Sequence, residues 1–261
     1  MTPILAFDIE TVPDVAGLRR LHGLPADLPD REVAEIAFQQ RRTQTGSDFL
    51  APPLHRVAVI SCVLRSDEGL QVFSIGEPER SEPEAIQKFF DGIEKLTPQL
   101  VSWNGGGFDL PVLNYRALIS GLRAPRFWDQ GEDDRDFRFN NYVSRYHARH
   151  LDLMDVLAMY QPRNNAPLDD VAQLAGLPGK IGVGGAAVWE AYQAGRIAEI
   201  RDYCEADTAN TYLLFLRFQQ LRGIFSKSAL EKEEALLRNY LQQQGKPHWR
   251  EFLKRWDAAR D

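Results

Sequence analysis

The feature that most limits how this chain can fold is the run Ile4-Leu5-Ala6-Phe7-Asp8-Ile9, apolar at five of six positions and broken by Thr11-Val12-Pro13. So short an apolar run, closed by a proline, predicts a buried strand. Similar runs at 57–64 (VAVISCVL) and 70–75 (LQVFSI), joined around Ser66–Gly69, predict an antiparallel hairpin. Ile86, Phe89, Phe90 and Ile93 repeat at helical spacing within 83–96, and 99–103 (QLVSW) reads as a second buried strand. A helix over about 108–120, a short strand at 150–153 and a helix near 154–160 follow. Helices are then expected at 168–175, 186–194, 196–221, 228–243 and 248–259. Residues 13–56 form a long irregular excursion with one helix near 31–42, and 124–149 reads as loop. Strand and hairpin, then strand and helix in alternation, then helices alone, imply an α/β fold: a mixed sheet flanked by helices, with a helical C-terminal part. The expected division is residues 1–225 for this domain and 226–261 for a helical extension packed on it.

Composition narrows the function classes. With 261 residues, 44% of them hydrophobic, the chain is long enough to bury a proper core. Lys and Arg number 31 against 37 Asp and Glu, a net charge of −6, which excludes a polybasic nucleic-acid coat. Local basic patches, or cations offsetting acidic residues, remain open routes to nucleic acid. The two cysteines, Cys62 and Cys204, are far apart and fit neither a zinc site nor a disulfide framework, so a reducing cytoplasm is expected. No apolar run reaches the roughly 20 residues a bilayer demands, and no basic segment precedes an apolar stretch at the N-terminus. No membrane partner is therefore expected.

Three constellations could carry chemistry. Side chains alternate along a strand, so Asp8 and Glu10 share one face while Ile9 enters the other. Two such carboxylates repel unless a cation lies between them, and hard oxygen ligands suit Mg²⁺ or Mn²⁺. A solvated strand end has the same pattern. Next, Asn104-Gly105-Gly106-Gly107-Phe108-Asp109 lies between a predicted strand and helix, where α/β sheets place their sites. Asp109 could equally do no more than favour a helix dipole. Finally, Tyr203 and Asp207 stand one turn apart on a predicted helix, a spacing that lets a phenol orient a water beside a carboxylate.

Taken in order, Asp8-x-Glu10, Asn104-x-x-x-Phe108-Asp109 and Tyr203-x-x-x-Asp207 resemble the three exonuclease motifs of the DEDDy group, which has a ribonuclease H-like fold. The words FDIET, SWNGGGFDLPVL and DYCEADTANTYLLF resemble stand-alone bacterial predicted 3′–5′ exonucleases related to the proofreading domain of family B DNA polymerases. The likeness spans about residues 4–215. It implies Asp8, Glu10, Asp109 and Asp207 as ligands of two divalent ions, Mg²⁺ or Mn²⁺, and Tyr203 as the residue that positions the attacking water. It further implies that Asn104, Phe108 and Thr11 contact the substrate. Histidine-type relatives carry a His where this chain has Asp202, so the tyrosine subtype follows. The activity implied is metal-dependent 3′–5′ hydrolysis of DNA, preferably single-stranded, releasing nucleoside 5′-monophosphates. A 3′–5′ exoribonuclease and a non-catalytic nucleic-acid-binding module of the same fold are the alternatives, since catalytic motifs do not read the 2′-hydroxyl.

Other residues have plainer readings beside functional ones. Asp152 suits a supporting role or direct ligation, while Asp155 and His150 read as surface or capping residues. The segment Gly179–Gly185 lacks the order of an ATP loop, but Lys180 could meet a DNA phosphate. Arg135, Arg138, Arg145 and Arg149, interleaved with Phe137, Phe139, Tyr142 and Tyr146, make either a nucleic-acid patch or a solvated loop. Arg41 and Arg42 are a second basic candidate. Trp249, Phe252 and Trp256 are expected to cover the core, and Cys204 to pack within its helix.

Overall fold

In the computed structural model, which describes residues 2–182 and 184–259, the first apolar run becomes the central strand β1 (Ile4–Pro13). It does not end at Ile9 as the sequence suggests. Antiparallel pairing with β2 (His55–Ser66) continues to Pro13 because the register shifts from Glu10↔Val59 to Thr11↔Val57. Ala58 is thus the extra residue of a β-bulge, a device that lets pairing persist beside a site. β3 (Gly69–Gly76) closes the predicted hairpin with Ser66 opposite Gly69. On the other side, β4 (Gln99–Ser102) and β5 (His150–Asp152) run parallel, and the sheet order is β3-β2-β1-β4-β5.

The excursion holds two helices, α1 (Val15–His22) and α2 (Asp30–Thr45), of which only the second was legible. α3 (Glu82–Leu96) begins with a capping box from Ser81 and Glu84 and buries the predicted stripe. α4 (Asp109–Ile119), α5 (Pro125–Trp128), α6 (Leu153–Leu157), α7 (Leu168–Leu174) and α8 (Val188–Gln193) are shorter. α9 (Ile197–Leu221) is buried almost throughout from Tyr203 to Leu216, and α10 (Lys227–Gln244) and α11 (Pro247–Ala258) pack outside it. Strand alternation sorts the core into two faces. Leu5, Phe7 and Ile9 meet α3 and α4, whereas Ala6, Val63 and Val101 meet α9. Trp249, Phe252 and Trp256 share the second cluster with α9, as their spacing implied. His248, on α11, bridges Asp202 and Glu205 of α9 at 3.0 and 2.9 Å. Among the described residues, no helix is long and apolar enough to cross a membrane.

Two readings need correction. The segment 124–149 is not simple loop, because Phe127, Phe137 and Tyr142 are fully buried beside α3 and α4. Arg149 lies 4.0 Å above the Phe137 ring and donates to the Asn140 carbonyl, and Arg145 is paired with Asp155, so part of this arginine–aromatic segment is scaffold, while Arg135, Arg138, Phe139 and Tyr146 are exposed. His150 is buried on β5, not on the surface: its Nε2 lies 2.8 Å from the Ser102 hydroxyl, and desolvation lowers its pKa to about 4.

Candidate active site

The edge of β1 opens where β4 leaves it. Their pairing ends at Ala6↔Val101, and the chain turns away through Trp103 into the glycine loop. Beyond that point the Ile9 N–H has no strand to pair with; it donates instead to Asp109 Oδ1 at 3.1 Å. Asp109 is thereby fixed at the start of α4, against the part of β1 that carries Asp8 and Glu10.

The glycine loop owes its shape to packing. Asn104 sits at φ +64°, and its carbonyl accepts from the N–H groups of Gly107 and Phe108. A β-carbon at Gly105 would lie 2.3 Å from Ser102 Oγ, so only glycine fits there. Asp152 braces the turn: it accepts from Asn104 N and Gly106 N, both at 2.9 Å, and caps α6 through Asp155 N. With its oxygens so engaged, Asp152 supports the loop, and its charge still reaches Asp109 and raises that carboxyl's pKa.

α9 completes the arrangement from the other face of the sheet. Tyr203, Cys204 and Asp207 are buried there. Asp8, Glu10, Asp109 and Asp207 act electrostatically on one another. Burial, then repulsion from Asp109, Glu10 and Asp207, holds the Asp8 carboxyl well above the usual range. Glu10 is raised in the same way by burial, Asp207 and Asp109. Desolvation lifts Asp109 to about 7 and Asp207 to about 6. Burial and the three acids Asp207, Glu10 and Asp8 push the Tyr203 phenol upward, so it stays protonated. Cys204 does more than pack: its thiol reaches the Asp8 carbonyl and Oδ2, each at 3.5 Å.

Lys180 brings a cation to this cluster, with its ammonium 3.9 Å from Asp207 Oδ2 and 5.5 Å from the centre of the Tyr203 ring. Three helices fix its backbone. Asn210 of α9 donates to the Gly179 carbonyl, Asp169 of α7 accepts from Lys180 N, and Arg255 of α11 donates to Lys180 O. Val183, in the same glycine-rich segment, lies outside the described residues.

The donor set fits divalent cations. It consists of carboxylate oxygens, which suit hard ions, at a density that is unfavourable without positive charge. Asp207 Oδ1 is buried and finds no hydrogen-bond partner among the described residues, an arrangement that calls for an explanation such as an ion. One oxygen each from Asp8 and Glu10 comes within 4.8 Å of the other and of Cys204 Sγ, close enough to share an ion.

Alongside the carboxylates runs a groove of roughly 600 Å³ whose lining includes Glu10, Thr11, Phe49, His55, Phe108 and Lys180. Thr11 Oγ1 lies 2.8 Å from His55 Nδ1, and His55 Nε2 lies 3.1 Å from the Leu50 carbonyl. The carbonyl can only accept, so Nε2 carries the proton and Thr11 donates to Nδ1. Phe49 and His55 had no signal in the sequence, for they sit in the irregular excursion with neither periodicity nor motif. Asp202 turns away from the cluster toward His248.

Helices on both faces of a mixed five-stranded sheet, with acidic residues gathered beside its central strand, are the architecture of a ribonuclease H-like fold. The particular family follows: a model described as predicted 3′–5′ exonuclease related to the exonuclease domain of PolB matches residues 47–256, and the chain belongs to that family. Among solved structures, the family B DNA polymerase from the hyperthermophilic archaeon Pyrobaculum calidifontis is similar in fold, with a TM-score of 0.50 and 19% identity over 81% of this chain. The matched part is 24% of the polymerase, so this chain spans about a quarter of that protein. No curated protein matches.

Proposed function

We propose that this chain removes nucleotides from the 3′ end of DNA, preferring unpaired ends, and that Asp8, Glu10, Asp109 and Asp207 hold two divalent ions, Mg²⁺ or Mn²⁺. The observation that carries the reading is the gathering of these four carboxylates in one place, where burial raises the pKa of each and mutual repulsion adds to it at Asp8 and Glu10. Bound ions would supply Lewis acidity and charge neutralisation for an in-line displacement at phosphorus.

The residues of the chain supply positioning. Tyr203, kept protonated, is a hydrogen-bond donor that orients the attacking water and does not take its proton. Lys180 offers an ammonium to the phosphate of the bound strand. Phe108 and Thr11 in the groove, and the exposed Asn104 on the glycine loop just before Phe108, face the terminal nucleotide. Water adds to phosphorus, the bond to the 3′-oxygen of the shortened strand breaks, and that oxygen takes up a proton; the product is a nucleoside 5′-monophosphate.

The test uses 5′-labelled single-stranded DNA and RNA of equal sequence, and a blunt duplex, with Mg²⁺, Mn²⁺ or EDTA. A descending ladder, stopped by EDTA and by a blocked 3′ end and slower on the duplex, is expected. Labelled mononucleotide at the first time point would mean attack from the 5′ end, and faster loss of RNA would make the enzyme an exoribonuclease. No degradation under any condition would leave the binding-module alternative.

A further inference from the structure

Phe49 belongs to no motif and lies outside the acidic cluster, yet the fold holds it beside that cluster. Its ring is 57% exposed, on a short loop between α2 and β2. The loop is fixed. Leu50 beside it is buried, the Leu50 carbonyl accepts from His55, and His55 accepts from Thr11, the residue next to Glu10. The Arg41 guanidinium also holds the Phe49 carbonyl at 3.0 Å.

The rings of Phe49, His55 and Phe108 pack mutually, with centroids 5.0 to 5.3 Å apart and mutual tilts of 44° to 85°. Tilted contact leaves no slot between them into which a flat group could slide, so a ligand must use the outward surface of the wall. That wall borders the groove that also contains Glu10 and Lys180. One end is therefore apolar and aromatic, and the other charged. A 3′-terminal nucleotide has the same division, with a flat uncharged base at one end and a phosphate at the other. The volume, roughly 600 Å³, is in the range of a small-ligand site.

We propose, resting on the exonuclease reading above, that Phe49 together with Phe108 forms the seat of the 3′-terminal nucleobase. Phe49 is a binding residue that the excursion contributes to the site. Because stacking on a π face is tolerant of base identity, the seat accepts every base but needs the base unpaired.

The test combines Phe49→Ala with an oligodeoxynucleotide whose 3′-terminal sugar lacks its base. Affinity is read by fluorescence anisotropy, with a phosphorothioate at the last linkage to prevent cleavage, and KM and kcat are read on the normal linkage. Phe49 is largely exposed, so the substitution should leave the fold intact. The intact strand should lose affinity for the variant by roughly tenfold, within the range of one base–aromatic stack, mainly as a rise in KM. The abasic strand should bind both proteins alike, and Phe49→Tyr should restore the preference for a base. An equal loss on both strands would mean that Phe49 only supports the loop, and an unchanged preference would place the base elsewhere; either overturns the inference while the exonuclease reading stands. If the parent protein cleaves neither strand, it is the exonuclease reading that has failed.

Discussion

Replacing Asp109 by Asn isolates the electrostatic tension of the site. The amide retains an oxygen for the Ile9 N–H, now 3.1 Å from Oδ1, and deletes the largest like-charge influence on Asp8. Burial raises the Asp109 pKa from 3.8 to about 7. A carboxyl whose pKa is raised by folding stabilises the fold fully below its unfolded pKa, and that contribution is lost as pH rises through the folded value. At about 1.4 kcal/mol per pH unit, ionised Asp109 costs the metal-free fold on the order of 4 kcal/mol above pH 7, and under about 2 kcal/mol at pH 5. For a chain of this size each kcal/mol moves Tm by roughly 2–4 °C. Asp109→Asn in EDTA should therefore melt roughly 8–16 °C above the parent at pH 8, with a clearly smaller gain at pH 5. Thermal unfolding at both pH values decides it. A variant less stable than the parent, or a gain independent of pH, would refute the claim that Asp109 is forced to ionise against its surroundings. Mg²⁺ should stabilise the parent strongly at pH 8 and the variant much less, by mass action on the folded state.

Asp8→Ala and Asp207→Ala should each lower activity by a factor on the order of 10³ or more with the fold retained, as circular dichroism can confirm; parental rates would dismiss the metal assignment. Tyr203→Phe should weaken catalysis far less than Asp207→Ala, because an orienting hydroxyl contributes a few kcal/mol at most. Equal losses at saturating Mn²⁺ would point to proton transfer by Tyr203. Asp152→Ala removes the acceptor of Asn104 N and Gly106 N, and should cost roughly 2–4 kcal/mol in urea unfolding and lower kcat, while stabilisation by Mg²⁺ persists. Arg116→Ala leaves buried Glu82 and Asp14 unpaired and should destabilise by about 3–5 kcal/mol; a loss below about 1 kcal/mol would show that the clamp is solvated.

The strands and the acidic positions were readable because each depends on local pattern. Short apolar runs marked β1, β2, β3 and β4, helical spacing marked α3 and α9, and the carboxylates stand on the elements so marked, although β1 runs on past Asp8 and Glu10 to Pro13. What escaped depends on contacts remote in sequence. The bulge at Ala58 leaves no trace, since Val57, Ala58 and Val59 look alike in an apolar run. Phe137 and Tyr142 enter the core from irregular backbone, among charged neighbours, so no period betrays them. The sequence marks Lys180 for a phosphate contact, but its place beside Asp207 is set by Asn210, Asp169 and Arg255, each at least eleven residues away. Cys204 passed for packing because its contact is with Asp8, at the other end of the chain.

Repelling carboxylates must be held together by something outside the cluster, and the fold does this with a buried arginine. α4 presents Asp109 to the site at its first residue, and Arg116, seven residues or about two turns later, lies on the same helix face and is buried as well. Arg116 grips Glu82 at the start of α3 through two hydrogen bonds, at 2.8 and 2.6 Å, and Asp14 through a third at 2.6 Å. Glu82 also accepts from Val57 N, one residue before the bulge, and Asp14 caps α1 directly after β1. One guanidinium thus ties the helix carrying Asp109 to both ends of the segment that departs from β1 and returns as β2. The excursion can then be long without loosening the part of β1 that bears Asp8 and Glu10. It is anchored at Asp14 where it leaves the sheet, and at His55 and Val57 where it comes back, which is also where it delivers Phe49 to the groove.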